Sequence, residues 1–154
     1  MSVIKRLILG CGPRWPRGEE PYQDTFLDIR QFGNVDVVHD LNVTPWPFED
    51  NEFQSISAVH VIEHLQDLLS FMDECWRVLS PGGTLYLETP HAGMDVGLTH
   101  SDPTHIRCYT LHTFINYFSP EGTATFQYTD KAWSMPVLKI VNNCIVFHGQ
   151  PVKS

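Results

Sequence analysis

The stretch RLILGCGP, Arg6 to Pro13, runs an apolar strand straight into a Gly-x-Gly turn, and the next apolar run, Phe26-Leu27-Asp28, ends on a carboxylate. A buried parallel strand delivers its carboxyl end to a crevice. Glycines let the backbone approach a ligand there, and an acid at the end of the next strand can hold two ribose hydroxyls. The pair therefore reads as a nucleotide site. A dinucleotide fingerprint needs a third glycine three residues after the second, and Trp15 stands in that place. The NAD or FAD reading falls unless other segments support it.

Outward from this stretch, Val3 to Leu9 is the first strand and Thr25 to Ile29 the second. Pro13, Pro16 and Pro21 lie between them, so the helix expected after the first strand is shortened or absent. Val35 to His39 and Ser55 to His60 give a third and a fourth strand. Asp67 to Leu79 carries Leu68, Phe71, Met72, Cys75, Trp76 and Leu79 at the spacing of an amphipathic helix, which Ser80-Pro81-Gly82-Gly83 should end. Thr84 to Glu88 is a fifth strand. Thr89 to Cys108 shows no periodicity, and loops of that length are usually functional or mobile. Leu111 to Phe118 reads as a helix. Thr125 to Trp133 and Val137 to Phe147 read as a hairpin turning through Met135-Pro136. The whole is an α/β, doubly wound, Rossmann-like sheet, mostly parallel, with a C-terminal antiparallel hairpin, in one domain over residues 1–154.

The order LGCG, LDI, VDVVHDLN, FEDNEFQSISAVHVIEHL and CWRVLSPGGTLYLETP resembles the class I S-adenosylmethionine-dependent methyltransferases, in their small type-11-like branch, over roughly residues 5–120. The resemblance implies S-adenosylmethionine as cofactor. It implies that Gly10, Cys11 and Gly12 approach the methionine portion, and that Asp28 takes the ribose. It also implies that Asp40 receives the adenine amino group with Leu41 over the ring, and that the backbone of His60 lines the sulfonium. Larger relatives cover the cofactor with N-terminal helices. Here the first strand begins almost at once, so the site is open, closed by a neighbouring subunit, or covered by the long loop.

Methyl transfer is an in-line displacement in which alignment dominates, and a base is needed only for a protonated nucleophile. The loop after the fifth strand supplies candidates. His105 and His100 can accept a proton near neutral pH, Asp102 can orient one of them, and Arg107 can hold an acidic substrate group. A rival lies in His60-Val61-Ile62-Glu63-His64, which matches the H-x-x-E-H pattern of zinc hydrolases. A zinc peptidase of this type needs a further acidic ligand on a second helix and a larger body, whereas this short pattern sits between a buried strand and an amphipathic helix. No metal is assigned on it. A non-catalytic metabolite-binding domain is the other alternative.

The net charge is −8 and the ten basic residues are scattered, without the stripe that a phosphate backbone requires. The sequence thus predicts a small-molecule or glycan-type acceptor and no nucleic acid. No apolar run is long enough to span a bilayer. The four cysteines show no C-x-x-C spacing, which suits reduced thiols in a cytoplasmic protein. A homo-oligomer is compatible with all of this.

Overall fold

The structure is a computed structural model that describes residues 3–93 and 96–153. Seven strands form one sheet in the order β3-β2-β1-β4-β5-β7-β6. They are β1 (Ile4–Leu9), β2 (Tyr22–Asp28), β3 (Val37–Val38), β4 (Phe53–Val59), β5 (Leu79–Pro90), β6 (Trp133–Val141) and β7 (Cys144–Pro151). Pairing is parallel from β3 through β5, and β7 is antiparallel to both β5 and β6. The chain leaves β1 toward β2 on one side and returns to β4 on the other. The carboxyl ends of β1 and β4 therefore flank a topological switch point, where such sheets bind ligands.

Strand alternation sorts the side chains onto two faces. Leu7, Leu9, Ile56, Leu85, Leu87 and Phe147 share the main core, on which α1 (Leu68–Val78) and α3 (Leu111–Phe118) pack. Helix α1 starts because the Asp67 side chain accepts from the backbone of Leu69 and Ser70, satisfying two otherwise orphaned donors. Phe71, Met72, Cys75 and Val78 form its buried stripe. Arg77 clasps this helix to the preceding loop, pairing twice with Glu74 at 2.8 Å and reaching the carbonyls of Trp46 and Phe48.

The opposite face has another solution. No helix occurs between β1 and β2, as the prolines required, and none between β2 and β3. Ile8, Phe26 and Cys11 are covered instead by Trp15 and Val35. Arg17 lies over the Phe26 ring at 4.3 Å and pairs with Asp36, while Arg6 grips Asp24 through two bonds of 2.6 and 2.9 Å. Two arginine clasps hold the connection that a helix would hold elsewhere.

Three expectations shift. The α1 helix ends at Val78, and Pro81-Gly82-Gly83 belongs to β5 as an outward excursion. Phe53 pairs with Leu79 but Ser55 with Thr84, and Gly82 takes φ +77°. The hairpin turns at Asn142-Asn143, at φ 49° and 65°, because both central residues of such a two-residue turn need positive φ and asparagine tolerates it. Met135-Pro136 is a one-residue bulge within β6, between Ser134 and Val137. Most of Thr125–Trp133 is not strand. Ser119 caps α4 (Pro120–Phe126) by accepting from Gly122, with Pro120 in the first turn, a start signal that outweighs the β-branched threonines. The long loop contains the short helix α2 (Val96–Ser101).

Candidate functional site

A cleft of about 620 Å³ lies at the switch point, and Gly10, Gly12, Asp28, Asp40, Leu41 and His60 all border it. Gly10 and Gly12 stand at φ +60° and +58°, a region costly for residues with a Cβ. At Gly10 a Cβ would meet Val61 Cγ2 at 2.6 Å, whereas at Gly12 nothing lies within 4 Å. The turn thus presses on Val61 at its first glycine and leaves open space at its second. Cys11, between them, points away: it is 4% exposed and packs with Ile8 and Phe26. Its thiol is pushed up by burial and by Asp28, so only its backbone is available to a ligand.

Asp28 ends β2 and is 8% exposed. One carboxylate oxygen accepts from Gly12 N and the other from Arg30 N, both at 2.9 Å. Each oxygen has two lone pairs, so the group is fixed in place with one acceptor position left on each oxygen. Asp40 holds its own turn, Oδ1 accepting from the backbone and side chain of Asn42.

His60 follows β4 in the left-handed region, at φ 54°, and its N–H donates to the Glu88 carbonyl at 2.9 Å. Its Nδ1 lies 3.2 Å from Glu63 Oε1 and its Nε2 3.9 Å from Glu88 Oε1. The hydrogen bond to Glu63 raises its pKa; burial opposes this, and the charges of Glu63 and Glu88 add to the rise. Glu63 is 2% exposed, and its other oxygen accepts from the Thr89 hydroxyl at 3.0 Å.

Residues 62–64 form a 3-10 turn, not the α-helix that would put His60 and His64 one turn apart on one face. The two histidines join different neighbours. His60 meets Glu88 and Cys144, while His64 meets Glu63 and His105. The two-histidine zinc clamp of H-x-x-E-H is therefore not formed by this segment.

The Glu63 carbonyl accepts from Ile106 and Arg107 N–H, and the Tyr109 hydroxyl donates to the Ile62 carbonyl. These bonds draw the long loop over the site. Of its candidates only Asp102 borders the cleft, joined there by Thr104 and His64. His105 is held through Nδ1 to the Thr99 carbonyl at 2.9 Å, with Nε2 3.9 Å from Asp102. His100 lies in the last turn of α2, exposed and off the cleft lining. Arg107 is turned aside, bonded to the Gln66 carbonyl and lining a separate cavity of about 380 Å³ with Tyr109, Tyr117 and Tyr128.

The sequence reading names His64 only within the zinc alternative and gives Thr104 no role. Thr104 donates to Asp102 Oδ1 at 2.6 Å and lies 3.0 Å from His64 Nδ1, which is also 3.2 Å from the Thr104 carbonyl. A carbonyl only accepts, so Nδ1 carries the hydrogen and the Nε2 lone pair is free. The forty-residue separation hides this chain of contacts. Only the EH pair after β4 hinted at it.

Residues 23–87 match the family model described as a methyltransferase domain. A probable S-adenosylmethionine-dependent methyltransferase of Mycolicibacterium smegmatis is 38% identical over 61 residues, 40% of this chain and 23% of that protein. A tRNA U34 carboxymethyltransferase of Campylobacter curvus is 29% identical over 91 residues, 56% of this chain and 30% of that protein. The chain thus spans less than a third of the length of these curated relatives. The crystal structure of a SAM-dependent methyltransferase from Archaeoglobus fulgidus superposes with a TM-score of 0.68 at 15% identity, over 96% of this chain and 86% of that one. Residues 23–87 are thus similar to the methyltransferase domain, and the fold is that of a class I S-adenosylmethionine-dependent methyltransferase. S-adenosylmethionine is the methyl donor this class implies.

Proposed function

We propose that this chain, acting as one cytoplasmic methyltransferase-like domain, transfers a methyl group from S-adenosylmethionine to a small-molecule or glycan-type acceptor. The Asp28 carboxylate carries the reading. Two backbone N–H groups hold it at the switch point with one lone pair left on each oxygen, which suits two neighbouring ribose hydroxyls. Gly12 offers open space where the methionine portion would approach, with Gly10 and the Cys11 backbone beside it. Asp40 and Leu41 would take the adenine, and the His60 backbone would lie against the sulfonium. The donor, when bound, supplies an electrophilic methyl on a positively charged sulfur.

The chain's own part is to align and, where the acceptor arrives protonated, to take a proton. His64 is the group placed for that. Asp102 orients Thr104, Thr104 orients His64, and the Nε2 lone pair remains for an acceptor proton at the cleft. In this reading Asp102 acts on His64 through Thr104 rather than on His105 or His100, and His105 supports His64 edge to face at 4.8 Å between ring centres. The net charge of −8 favours a cationic donor and disfavours a nucleic-acid acceptor. The tRNA named for the Campylobacter relative belongs to a protein of which this chain spans 30%.

Donor turnover measured against hydroxylated small molecules, glycans and tRNA tests the reading. Turnover on the first or second class, reduced about 10²-fold or more by His64→Ala with donor affinity kept, is expected. Turnover on tRNA alone would refute the acceptor class. Donor binding without turnover on any acceptor would favour the binding-module alternative.

A further inference from the structure

The sheet register brings three metal-ligating side chains together at the edge of the cleft. His60 follows β4. Glu88 pairs with Val59 on one side and Val146 on the other, and Cys144 opens β7 two residues before Val146, so it stands on the same sheet face as Glu88. One ligating atom from each of His60, Glu88 and Cys144 lies within 4.8 Å of the others. The His60 Nε2 to Glu88 Oε1 distance is 3.9 Å. Ligands of a tetrahedral zinc ion stand about 3.3–3.8 Å apart, given bonds of about 2.0–2.3 Å, so modest side-chain rotation closes the set.

The surroundings make this more than a chance cluster. His60 Nδ1 faces the buried Glu63 carboxylate at 3.2 Å, which places the hydrogen on Nδ1 and leaves the Nε2 lone pair toward Glu88. Glu63 is itself held by Thr89. The second Glu88 oxygen accepts from the Tyr86 hydroxyl at 2.8 Å, leaving Oε1 toward His60. A carboxylate behind a ligating histidine and a hydrogen bond behind a ligating carboxylate are the outer partners that orient metal ligands.

We propose that His60, Glu88 and Cys144 form a zinc-class site, with three protein ligands and a fourth position for water or an acceptor oxygen. Imidazole, carboxylate and thiolate together suit zinc rather than magnesium or calcium, which take oxygen ligands. The site borders the cleft through His60, so a bound ion lies next to any ligand there. The assignment stands on the ligand set and its outer partners, independently of the methyl-transfer reading.

The test is titration of chelator-treated protein with cobalt(II), followed by competition with zinc. One equivalent should bind with sulfur-to-cobalt charge-transfer absorption and the intense visible bands of a four-coordinate ion. Cys144→Ser should abolish the charge-transfer absorption and Cys108→Ser, at an exposed cysteine, should keep it. Glu63→Gln should weaken binding about 10–100-fold, with circular dichroism confirming that each variant is folded. Should Cys144→Ser not fold, X-ray absorption on the zinc-loaded native chain should show one sulfur at about 2.3 Å. No binding overturns the proposal. So does cobalt bound without a thiolate and lost in His64→Ala, which would put the metal at Glu63, His64 and His105.

Discussion

Replacing either glycine of the first turn by alanine should separate packing from binding. Both sit near φ +60°, and an L-residue there costs about 1–2 kcal/mol. Gly12→Ala should cost only that, since nothing lies within 4 Å of its Cβ. Gly10→Ala also drives a methyl to 2.6 Å from Val61 Cγ2, well inside the 3.4 Å at which ordinary contact begins. Val61 is 6% exposed within the core and cannot swing clear. Overpacking of that kind adds about 1–3 kcal/mol, for a total of about 2–5 kcal/mol. Urea unfolding at constant slope reads both values. Gly12→Ala should instead weaken donor binding, because its new methyl projects into space bordering the cleft. Equal destabilisation of the two variants, or unchanged donor affinity in Gly12→Ala, would refute the reasoning about this turn.

Other perturbations test the remaining parts. His60, whose pKa is raised first of all by Glu63, contributes stability that is complete below its ordinary value of 6.5 and lost as pH rises through the raised one. An NMR titration should find the His60 pKa above 6.5 and lowered in Glu63→Gln. Burial pushes the Glu74 carboxyl up, but Arg77 and the Trp46 N–H together overcome it and leave the pKa below 4.5. Its contribution is thus complete above that ordinary value and is lost as pH falls through the depressed one. Unfolding free energy followed from pH 6 toward pH 2, a range set about carboxylate titration, should fall more steeply in the native chain than in Glu74→Gln. Asn143→Gly, at φ 65°, should raise stability by up to about 1 kcal/mol by removing the Cβ penalty. An unchanged or lower melting temperature would argue against that turn.

Local chemistry explains which features were legible in the sequence. RLILGCGP and LDI gave the strand, the turn and the acid because each is a contiguous pattern with one physical reading. The three prolines after Gly12 correctly removed a helix. The two arginine clasps that replace it were not legible, since Arg6 with Asp24 and Arg17 with Asp36 meet only once β1 and β2 are paired. Met135-Pro136 reads as the hairpin turn in the sequence, yet a bulge absorbs it while Asn142-Asn143 turns. Thr125–Trp133 was read from β-branched composition, and the Ser119-Pro120 start signal won. The loop candidates follow from the place of the loop after the fifth strand and from side-chain chemistry, which do not say where each side chain points. Folding brought Asp102 to the cleft, turned Arg107 to another cavity and set His64, from the short turn after β4, beside Thr104. Glu88 and Cys144 carried no signal at all until the antiparallel register of β5 and β7 put them on one face.

Calorimetric titration of S-adenosylmethionine and S-adenosylhomocysteine into the native chain and Asp28→Ala bears most directly on the cleft. Saturable binding to the native chain, lost or weakened at least tenfold in Asp28→Ala with the variant still folded, is expected, since a tenfold change is about 1.4 kcal/mol, within what a charged hydrogen-bond partner contributes. Binding that is indifferent to Asp28, or no binding at all, would contradict the assignment of this cleft to the methyl donor.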